Sequence, residues 1–142
     1  MNIAIVGATG NVGRKILEVL EKKGLAIDNL YLLASSRSAG SKINFNGNEY
    51  EVLNLETFDF SKVKITFFAA GGKISENYAE IAAKHSLVID NSSFYRMDPD
   101  VPLIVPQVNS DHLNDIKKNI IANQNCSTAQ LVIALKPLHD LF

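Results

Sequence analysis

Cys126, the only cysteine in this chain of 142 residues, is the side chain best suited to covalent chemistry. It stands in the segment Asn125-Cys126-Ser127-Thr128, and the apolar residues from 128 to 135 predict a helix. We expect Ser127 and Thr128 to cap this helix. A thiol at a helix N-terminus faces free backbone N–H groups and the positive end of the helix dipole, which stabilise its thiolate. Such a thiolate can attack a carbonyl or an acyl phosphate, and the same N–H groups can stabilise the oxyanion that develops.

An inert, buried cysteine is the alternative, because free cysteine is among the residues most often found in protein cores. The other motifs of the chain favour a reactive thiol, since each predicts a place for a nucleotide or an anion. These motifs follow predicted strands, which must therefore position them.

A glycine-rich turn, residues 7–13, directly follows the first predicted strand. That strand, residues 3–6, is apolar throughout, as expected where both faces of a parallel sheet are covered. Helical periodicity begins at about Asn11 and ends at Gly24, and it predicts a buried helix face formed by Val12, Ile16, Val19 and Leu20. A strand, a glycine turn and a helix in this order favour a dinucleotide pyrophosphate site, although the spacing is G-x-x-G-x-x-G rather than G-x-G-x-x-G.

The second predicted strand, residues 30–34, is followed by the segment Ser36-Arg37-Ser38. An NAD-specific site usually has an acidic residue near the end of this strand, where it holds the ribose 2′-hydroxyl, and none is present here. An arginine flanked by hydroxyl groups suits the 2′-phosphate of NADP, and the missing carboxylate removes a source of repulsion. The segment therefore favours NADP over NAD as the cofactor, with a solvated polar loop as the alternative.

The remaining periodicity predicts an α/β fold. Further strands are predicted at 64–69, 87–90 and 119–122, helices at 75–85 and 111–118, and a β-hairpin at 43–52. Ser75 is a candidate cap for its helix, and Pro137 should bend or end the helix that follows Cys126. Strands that alternate with helices predict a Rossmann-like, doubly wound and mostly parallel sheet.

Two further segments are candidates for contact with ligands. Ala70-Gly71-Gly72 follows a predicted strand, and such small residues let a cofactor lie against bare backbone. The proline-rich segment 91–109 has no helical period and carries Arg96, which could hold a phosphate or carboxylate through two hydrogen bonds. Arg96 could equally pair with Asp98 or Asp100, and the sequence leaves both possibilities open.

Composition argues against several other classes of protein. The net charge of −1 gives no basis for binding nucleic acid or an anionic membrane surface. No apolar run reaches the roughly 20 residues of a membrane span, and no secretory signal precedes the first strand, so we expect a cytoplasmic protein. A single cysteine rules out an internal disulfide and a cysteine-rich metal site, and no metal is expected.

Together, these motifs resemble those of bacterial aspartate-β-semialdehyde dehydrogenases. The resemblance covers essentially the whole chain and is carried by Gly7-Ala8-Thr9-Gly10-Asn11-Val12-Gly13, Ser36-Arg37-Ser38-Ala39-Gly40, Asn91-Ser92-Ser93, Arg96-Met97-Asp98, Asn125-Cys126-Ser127-Thr128 and residues 134–140. Two positions depart from the family pattern, because Gln107 replaces a glutamate and Gln124 replaces a proline. The second departure could loosen the backbone that aims Cys126.

The resemblance implies an NADP-dependent reaction in the biosynthesis of lysine, threonine and methionine. Cys126 would attack β-aspartyl phosphate, release phosphate and form a thioester, which NADPH reduces to aspartate semialdehyde. Asn125 would help to place the acyl oxygen, and Arg96 would contact the phosphate. The implied cofactor-binding residues are Gly7, Thr9, Gly10, Asn11, Val12, Gly13, Ser36, Arg37, Ser38, Ala70, Gly71 and Gly72.

The resemblance also implies a longer, homodimeric enzyme. Family members carry a later segment that supplies a histidine acid/base, an arginine for the substrate carboxylate and a dimer-forming sheet. We therefore expect residues 1–127 to form the cofactor-binding domain and residues 128–142 to begin a second, catalytic and dimerisation domain. Without its base, Cys126 in this N-terminal part should show little activity.

Three alternatives remain. An N-acetyl-glutamyl-phosphate reductase, or a related acyl-phosphate reductase, would use the same cysteine chemistry, although the context of Cys126 and the segment around Arg96 argue against it. A non-catalytic module could sense NADP(H) through the same cleft. A fragment without a function of its own would self-associate through its apolar residues from 131 to 142.

Overall fold

The computed structural model describes all residues from Met1 to Phe142 and confirms the predicted α/β fold. Its strands are β1 (Asn2–Val6), β2 (Asn29–Ala34), β3 (Lys42–Phe45), β4 (Asn48–Asn54), β5 (Ile65–Phe68), β6 (Leu87–Asp90), β7 (Leu103–Ile104) and β8 (Ile120–Asn123). Its α-helices are α1 (Asn11–Lys23), α2 (Gly72–Ala83), α3 (Pro106–Asn109) and α4 (Cys126–Leu141). The strands form one eight-stranded sheet in the order β3-β4-β2-β1-β5-β6-β8-β7. Every neighbouring pair is parallel except β3 and β4.

Strand β1 lies inside the sheet and is buried on both faces. Ile3 and Ile5 pack in a cluster that contains residues of α1, whereas Ala4 and Val6 pack in a second cluster that contains residues of α2. Successive side chains of a strand point to opposite faces of the sheet. The two helices therefore cover opposite faces, which is the doubly wound arrangement predicted from the sequence.

Helix α1 buries only part of its predicted face. Leu17 is buried, whereas Val12 is 49% exposed and Val19 is 44% exposed. Gly13 is also buried, and a Cβ atom added to it would lie 2.3 Å from the carbonyl oxygen of Gly7. The prediction for Val12 and Val19 was wrong because this close contact turns the Gly13 side of the helix toward the core.

Helix α2 begins at Gly72, three residues before the predicted start. Ser75 is therefore not the cap of this helix; it is fully buried, and its hydroxyl donates a hydrogen bond of 2.8 Å to Asp90. The N-cap is Gly71, which has a φ of +86° and no side chain that could have signalled a cap. The prediction of the helix start relied on a capping side chain, and it failed because the start of α2 is set by the backbone conformation of Gly71 and not by a side chain.

The C-terminal part of the chain also differs from its predicted elements. The helix predicted at 111–118 is not an α-helix. The structure has a 3₁₀ helix there, Ser110–Asp115, and the residues that follow it are not helical. Helix α4 begins at Cys126, two residues before the predicted domain boundary. It does not end at Pro137 but continues about one turn further, to Leu141. None of its residues is buried.

The predicted hairpin forms between β3 and β4 and also extends the main sheet. Strand β4 pairs in parallel with β2, so that Ala34 lies opposite Asn54. A short 3₁₀ helix, Leu55–Thr57, follows β4 directly. This helix therefore lies beside the segment that follows β2, although 20 positions separate Ala34 from Asn54 in the sequence.

Seven of the eight strands point the same way along this sheet, and only β3 runs in the opposite direction. The carboxyl ends of the seven lie on one edge in the order β4, β2, β1, β5, β6, β8 and β7. Open α/β sheets bind their ligands at this edge. None of the helices has the length and apolar character that crossing a membrane would require.

Replacing Gly13 by alanine should destabilise the fold, because the new Cβ would collide with the backbone of the turn at Gly7. We expect a loss of about 1–3 kcal/mol in the free energy of unfolding, measured by urea denaturation. Gly10→Ala is the control from the same turn, since its Cβ would lie 3.4 Å from the nearest atom and should cost less than about 1 kcal/mol. Equal losses for the two variants would contradict the proposed contact.

Candidate functional site

A cavity of about 300 Å³ lies at the carboxyl ends of β4, β2, β1 and β5. It is lined by Val6, Gly7, Thr9, Gly10, Ala34, Ser35, Arg37, Ser38, Leu55, Glu56, Ala69, Ala70, Ile74 and Tyr78. The predicted cofactor-binding residues among them are Gly7, Thr9, Gly10, Arg37, Ser38 and Ala70. The predicted residues outside this lining are Asn11, Val12, Gly13, Ser36, Gly71 and Gly72.

Local geometry explains why these residues lie outside the lining. Asn11 and Val12 form the first turn of α1, whose leading N–H groups have no acceptor within the helix. Gly13 packs against the turn rather than toward the cavity. Ser35 takes the place predicted for Ser36, because the chain turns directly after β2. Spacing predicts a turn without predicting which way each residue faces, and the cofactor contacts of these positions stay a prediction.

Backbone contacts hold the glycine turn close to two neighbouring strands. The N–H groups of Gly7 and Ala8 both donate to the carbonyl oxygen of Leu33 in β2, at 2.8 and 3.2 Å. Gly7 has a φ of +84°, and a Cβ there would lie 2.8 Å from the backbone of Ala69. Gly10 is the N-cap of α1 and has no side chain to occupy the free N–H groups of the helix. This turn can therefore present N–H donors to an anion such as a pyrophosphate.

Two opposite charges line the part of the cavity that follows β2 and β4. Arg37 is exposed and forms no ion pair. Glu56 lies in the 3₁₀ helix after β4 and was not predicted to be part of the site. The signal that could have found it was the pairing of β4 with β2, which sequence periodicity does not give.

Arg96 takes neither of the carboxylate partners that the sequence left open. Its Nε donates to the carbonyl oxygen of Asn123 and its Nη2 to that of Asn91, both at 3.1 Å. Asp98 instead pairs with Lys118 at 2.9 Å, and Asp100 pairs with Lys117 at 3.4 Å. Two backbone carbonyl groups at the ends of β6 and β8 thus hold the guanidinium in place. Its other N–H groups form no ion pair with a carboxylate.

A buried carboxylate supports the segment that carries Arg96. Asp90, at the end of β6, is fully buried and accepts hydrogen bonds from the hydroxyl of Ser75 and from the backbone N–H and hydroxyl of Ser92, at 2.7–2.9 Å. The next residue, Asn91, accepts a hydrogen bond from the side chain of Asn123. These contacts connect the ends of β6 and β8 and hold Arg96 in place.

Cys126 is exposed and is the first residue of α4, as the sequence predicted. The cap is not Ser127 or Thr128, because the side-chain oxygen of Asn125 accepts from the N–H groups of both, at 3.0 and 3.4 Å. Two of the N–H groups expected to face an oxyanion are therefore already occupied. The side chain of Gln124 accepts a hydrogen bond of 3.0 Å from the N–H of Asn125.

The structure places the glycine turn and Cys126 on the same edge of the sheet. Strands β1 and β8 are three strand spacings apart, and each spacing is about 4.8 Å, which gives a separation of about 14 Å. The segment with Arg96 follows β6, which lies between them. None of the three histidines lines the cavity. Fold and site together define a dinucleotide-binding α/β domain with an exposed thiol near its cleft.

Comparison with known proteins identifies the family of this domain. The family model described as "Semialdehyde dehydrogenase, NAD binding domain" matches residues 2–116. An aspartate-semialdehyde dehydrogenase from Shewanella sp. (strain DB6705) is 49% identical over 99% of the chain. The crystal structure of aspartate semialdehyde dehydrogenase II from Vibrio cholerae, complexed with ASA, superposes with a TM-score of 0.95 at 50% identity, over 98% of this chain and 46% of that one. The Candida albicans enzyme with NADP gives 0.79 at 28% identity, over 100% of this chain and 48% of that one.

The chain belongs to the semialdehyde dehydrogenase family and contains its NAD(P)-binding domain. It spans 42% of the length of the Shewanella relative. The family resemblance and the fold class inferred from the sequence are thus confirmed.

The ion pair between Asp98 and Lys118 should make stability depend on pH. The hydrogen bond from the Lys118 ammonium holds the pKa of the Asp98 carboxyl below its ordinary value of 3.8, and the N–H of Asp100 adds to this effect. A lowered pKa in the folded state stabilises the fold above the ordinary value, and this contribution is lost as the pH falls through the lowered one.

Asp98→Asn should therefore unfold more easily than the unmodified chain at neutral pH, by up to about 1 kcal/mol, and the difference should vanish in strong acid. Urea denaturation at a series of pH values measures this effect. Asp115→Asn removes an exposed carboxylate that forms no ion pair and should show no such dependence. A difference for Asp98→Asn that persists in acid would show that the ion pair is not its cause.

Proposed function

We propose that this chain is the cofactor-binding and cysteine-bearing part of an NADP-dependent aspartate-semialdehyde dehydrogenase. The observation that carries the proposal is the placement of a dinucleotide cleft and an exposed helix-terminal thiol on one edge of the sheet. The named relatives support the substrate, because the Vibrio cholerae structure is described as complexed with ASA. The reaction would contribute to the biosynthesis of lysine, threonine and methionine.

Cys126 carries the covalent step of the proposed reaction. Its sulfur attacks the acyl carbon of β-aspartyl phosphate, and phosphate leaves with the electron pair of the broken C–O bond, so that a thioester forms. NADPH supplies the hydride that reduces the acyl group to the aldehyde, aspartate semialdehyde. The hydride adds to the acyl carbon, the C–S bond breaks, and the electron pair of that bond returns to the sulfur of Cys126, which is released as its thiolate. Of the N–H groups at the start of α4, only that of Cys126 has no acceptor within the chain, and it would be the one available to the oxyanion.

Arg96 is the residue that we assign to the phosphate. Its guanidinium is fixed by the carbonyl oxygens of Asn91 and Asn123, and its remaining N–H groups can form charge-assisted hydrogen bonds to a phosphate oxygen. Asn125 would orient the acyl oxygen through its side-chain N–H₂ group, because its oxygen is occupied in the helix cap. Asn91 and Asn123 thus act on the phosphate only through Arg96.

The cleft suits a dinucleotide in its chemistry, and its enclosed part has room for a portion of one. A cavity of about 300 Å³ lies within the range of small-molecule sites, and glycine backbone and the start of α1 border it. Gly7, Thr9 and Gly10, with the N–H groups of residues 11–13, would hold the pyrophosphate. Arg37 and Ser38, with Ser36 nearby, would hold the 2′-phosphate of NADP, and Ala70 to Gly72 would border the rest of the cofactor. The Candida albicans relative with NADP supports this choice of nucleotide.

The rest of the catalytic machinery would lie outside these residues. We propose that residues 1–127 form the cofactor-binding domain and that residues 128–142, within α4, begin a catalytic and dimerisation domain. The exposed apolar side chains of α4 support this division, since much of their surface is left uncovered by the chain; they include Leu131, Ile133, Leu135, Leu138 and Leu141. By family resemblance, the missing domain supplies the histidine acid/base, so this chain alone should have little activity.

Calorimetric titration with NADP⁺ and NAD⁺ tests the cofactor assignment. The chain should bind NADP⁺ more tightly than NAD⁺, and Arg37→Ala should weaken NADP⁺ binding about tenfold or more, because a charge-assisted hydrogen bond is lost. NAD⁺ binding should hardly change. Lys23→Ala, at the far end of α1, is a control that should leave both affinities unaltered. A folded chain that binds neither nucleotide, or that prefers NAD⁺, would contradict the assignment.

Alkylation of Cys126 tests the proposed anion site at Arg96. Asn123, whose carbonyl oxygen holds Arg96, is three residues from Cys126, so their Cα atoms are at most about 11 Å apart. At low salt the Arg96 guanidinium should therefore raise the rate at which the anionic reagent iodoacetate alkylates Cys126, relative to the rate with neutral iodoacetamide.

The ratio of the two alkylation rates should fall severalfold in Arg96→Met. Lys84→Met removes an exposed cation beyond the end of α2, at the opposite edge of the sheet, and should leave the ratio unchanged. If both variants keep the ratio of the unmodified chain, Arg96 does not act on an anion at the thiol.

A further inference from the structure

Glu56 lines the same cavity as Arg37, and neither the family match nor the sequence pattern assigns it a role. It lies two residues beyond Asn54, and Arg37 lies three residues beyond Ala34. Asn54 and Ala34 are directly paired in the sheet, where neighbouring strands are about 4.8 Å apart. The carboxylate therefore stands at the strand end next to the one that carries the arginine.

The short helix that carries Glu56 is firmly attached to the domain. Leu55 is buried in the cluster beneath α2, and the side-chain oxygen of Asn54 accepts a hydrogen bond of 3.1 Å from the N–H of Glu56. Thr57 closes the same turn through a hydroxyl contact to the carbonyl oxygen of Asn54. These contacts fix the backbone of Glu56 at the mouth of the cavity.

The charge of Glu56 is not neutralised within the chain. Neither Glu56 nor Arg37 forms an ion pair, and neither side chain takes part in a hydrogen bond within the protein. Both are exposed and remain available to a ligand. A phosphate placed on Arg37 would thus meet an uncompensated negative charge on the adjacent strand end.

We propose that Glu56 is a specificity-determining residue that opposes Arg37 and reduces the preference of the cleft for NADP over NAD. The inference rests on the proposed binding of NADP in this cleft. The carboxylate repels the doubly charged 2′-phosphate of NADP. NAD has a neutral 2′-hydroxyl group at this position, which can donate a hydrogen bond to the carboxylate without repulsion. The affinity ratio of the two nucleotides is therefore set by both charges and not by Arg37 alone.

The test is calorimetric titration of the chain and of Glu56→Gln with NADP⁺ and with NAD⁺ at low salt. Glu56→Gln should bind NADP⁺ about threefold or more tightly than the unmodified chain, because one repulsive charge is removed at similar side-chain size. NAD⁺ affinity should stay within about twofold. In about 1 M salt, where the Debye length is about 3 Å, the gain for NADP⁺ should disappear.

Glu51→Gln is the matched control, since Glu51 is an exposed carboxylate of β4 that does not line the cavity. It removes the same charge from a position five residues earlier in the chain and should change neither affinity. Equal changes for Glu51→Gln and Glu56→Gln would show only an effect of net charge and would overturn the inference.

Other outcomes separate this inference from the cofactor proposal. If the unmodified chain binds NADP⁺ but Glu56→Gln leaves that affinity unchanged or weakens it, the inference fails while the cofactor assignment stands. Equal changes in the affinities for both nucleotides would instead show that Glu56 acts on a part of the cofactor that NADP⁺ and NAD⁺ share, such as the adenine, and would also overturn the inference. If a folded chain binds neither nucleotide, both the cofactor assignment and this inference fail.

Discussion

Parallel alignment of seven of the eight strands is the constraint on which the rest of this structure depends. Parallel alignment brings the carboxyl ends of β4, β2, β1, β5, β6 and β8 to one edge, and each candidate ligand contact follows one of these ends. Strand β1, which leads into the glycine turn, and strand β8, which leads to Cys126, are about 14 Å apart, three strand spacings along the sheet. The order of the strands in the sheet therefore decides which residues, although distant in sequence, lie next to each other at this edge.

Close backbone contacts and buried hydrogen bonds fix the segments at that edge. Gly13 packs directly on the carbonyl oxygen of Gly7, and the absence of a Cβ lets the start of α1 lie close to the turn. At the other end of the site, Asp90 and the pairing of Asn91 with Asn123 connect β6 to β8. Buried carboxylates are tolerated when their oxygens accept several hydrogen bonds, as those of Asp90 do. The site is therefore built on a rigid edge.

Much of the fold and part of the site follow from local sequence signals. The apolar strands, the turn at Gly7, the helix ending at Gly24 and the exposed thiol of Cys126 were all predicted, because each depends on residues close together in the chain. The exposed face of α1 and the caps of α2 and α4 were not. Those features depend on contacts with other segments, such as that of Ser75 with Asp90.

The sequence by itself determined the class of fold and the family, since periodicity and motif spacing are local properties of the chain. Only the tertiary structure decided which charged groups share a site. It directed Arg96 to two backbone carbonyls rather than to a neighbouring aspartate, and it brought Glu56 beside Arg37. The physical reason is strand order: β4 follows β3 in the chain but also pairs with β2, and no local pattern encodes that choice.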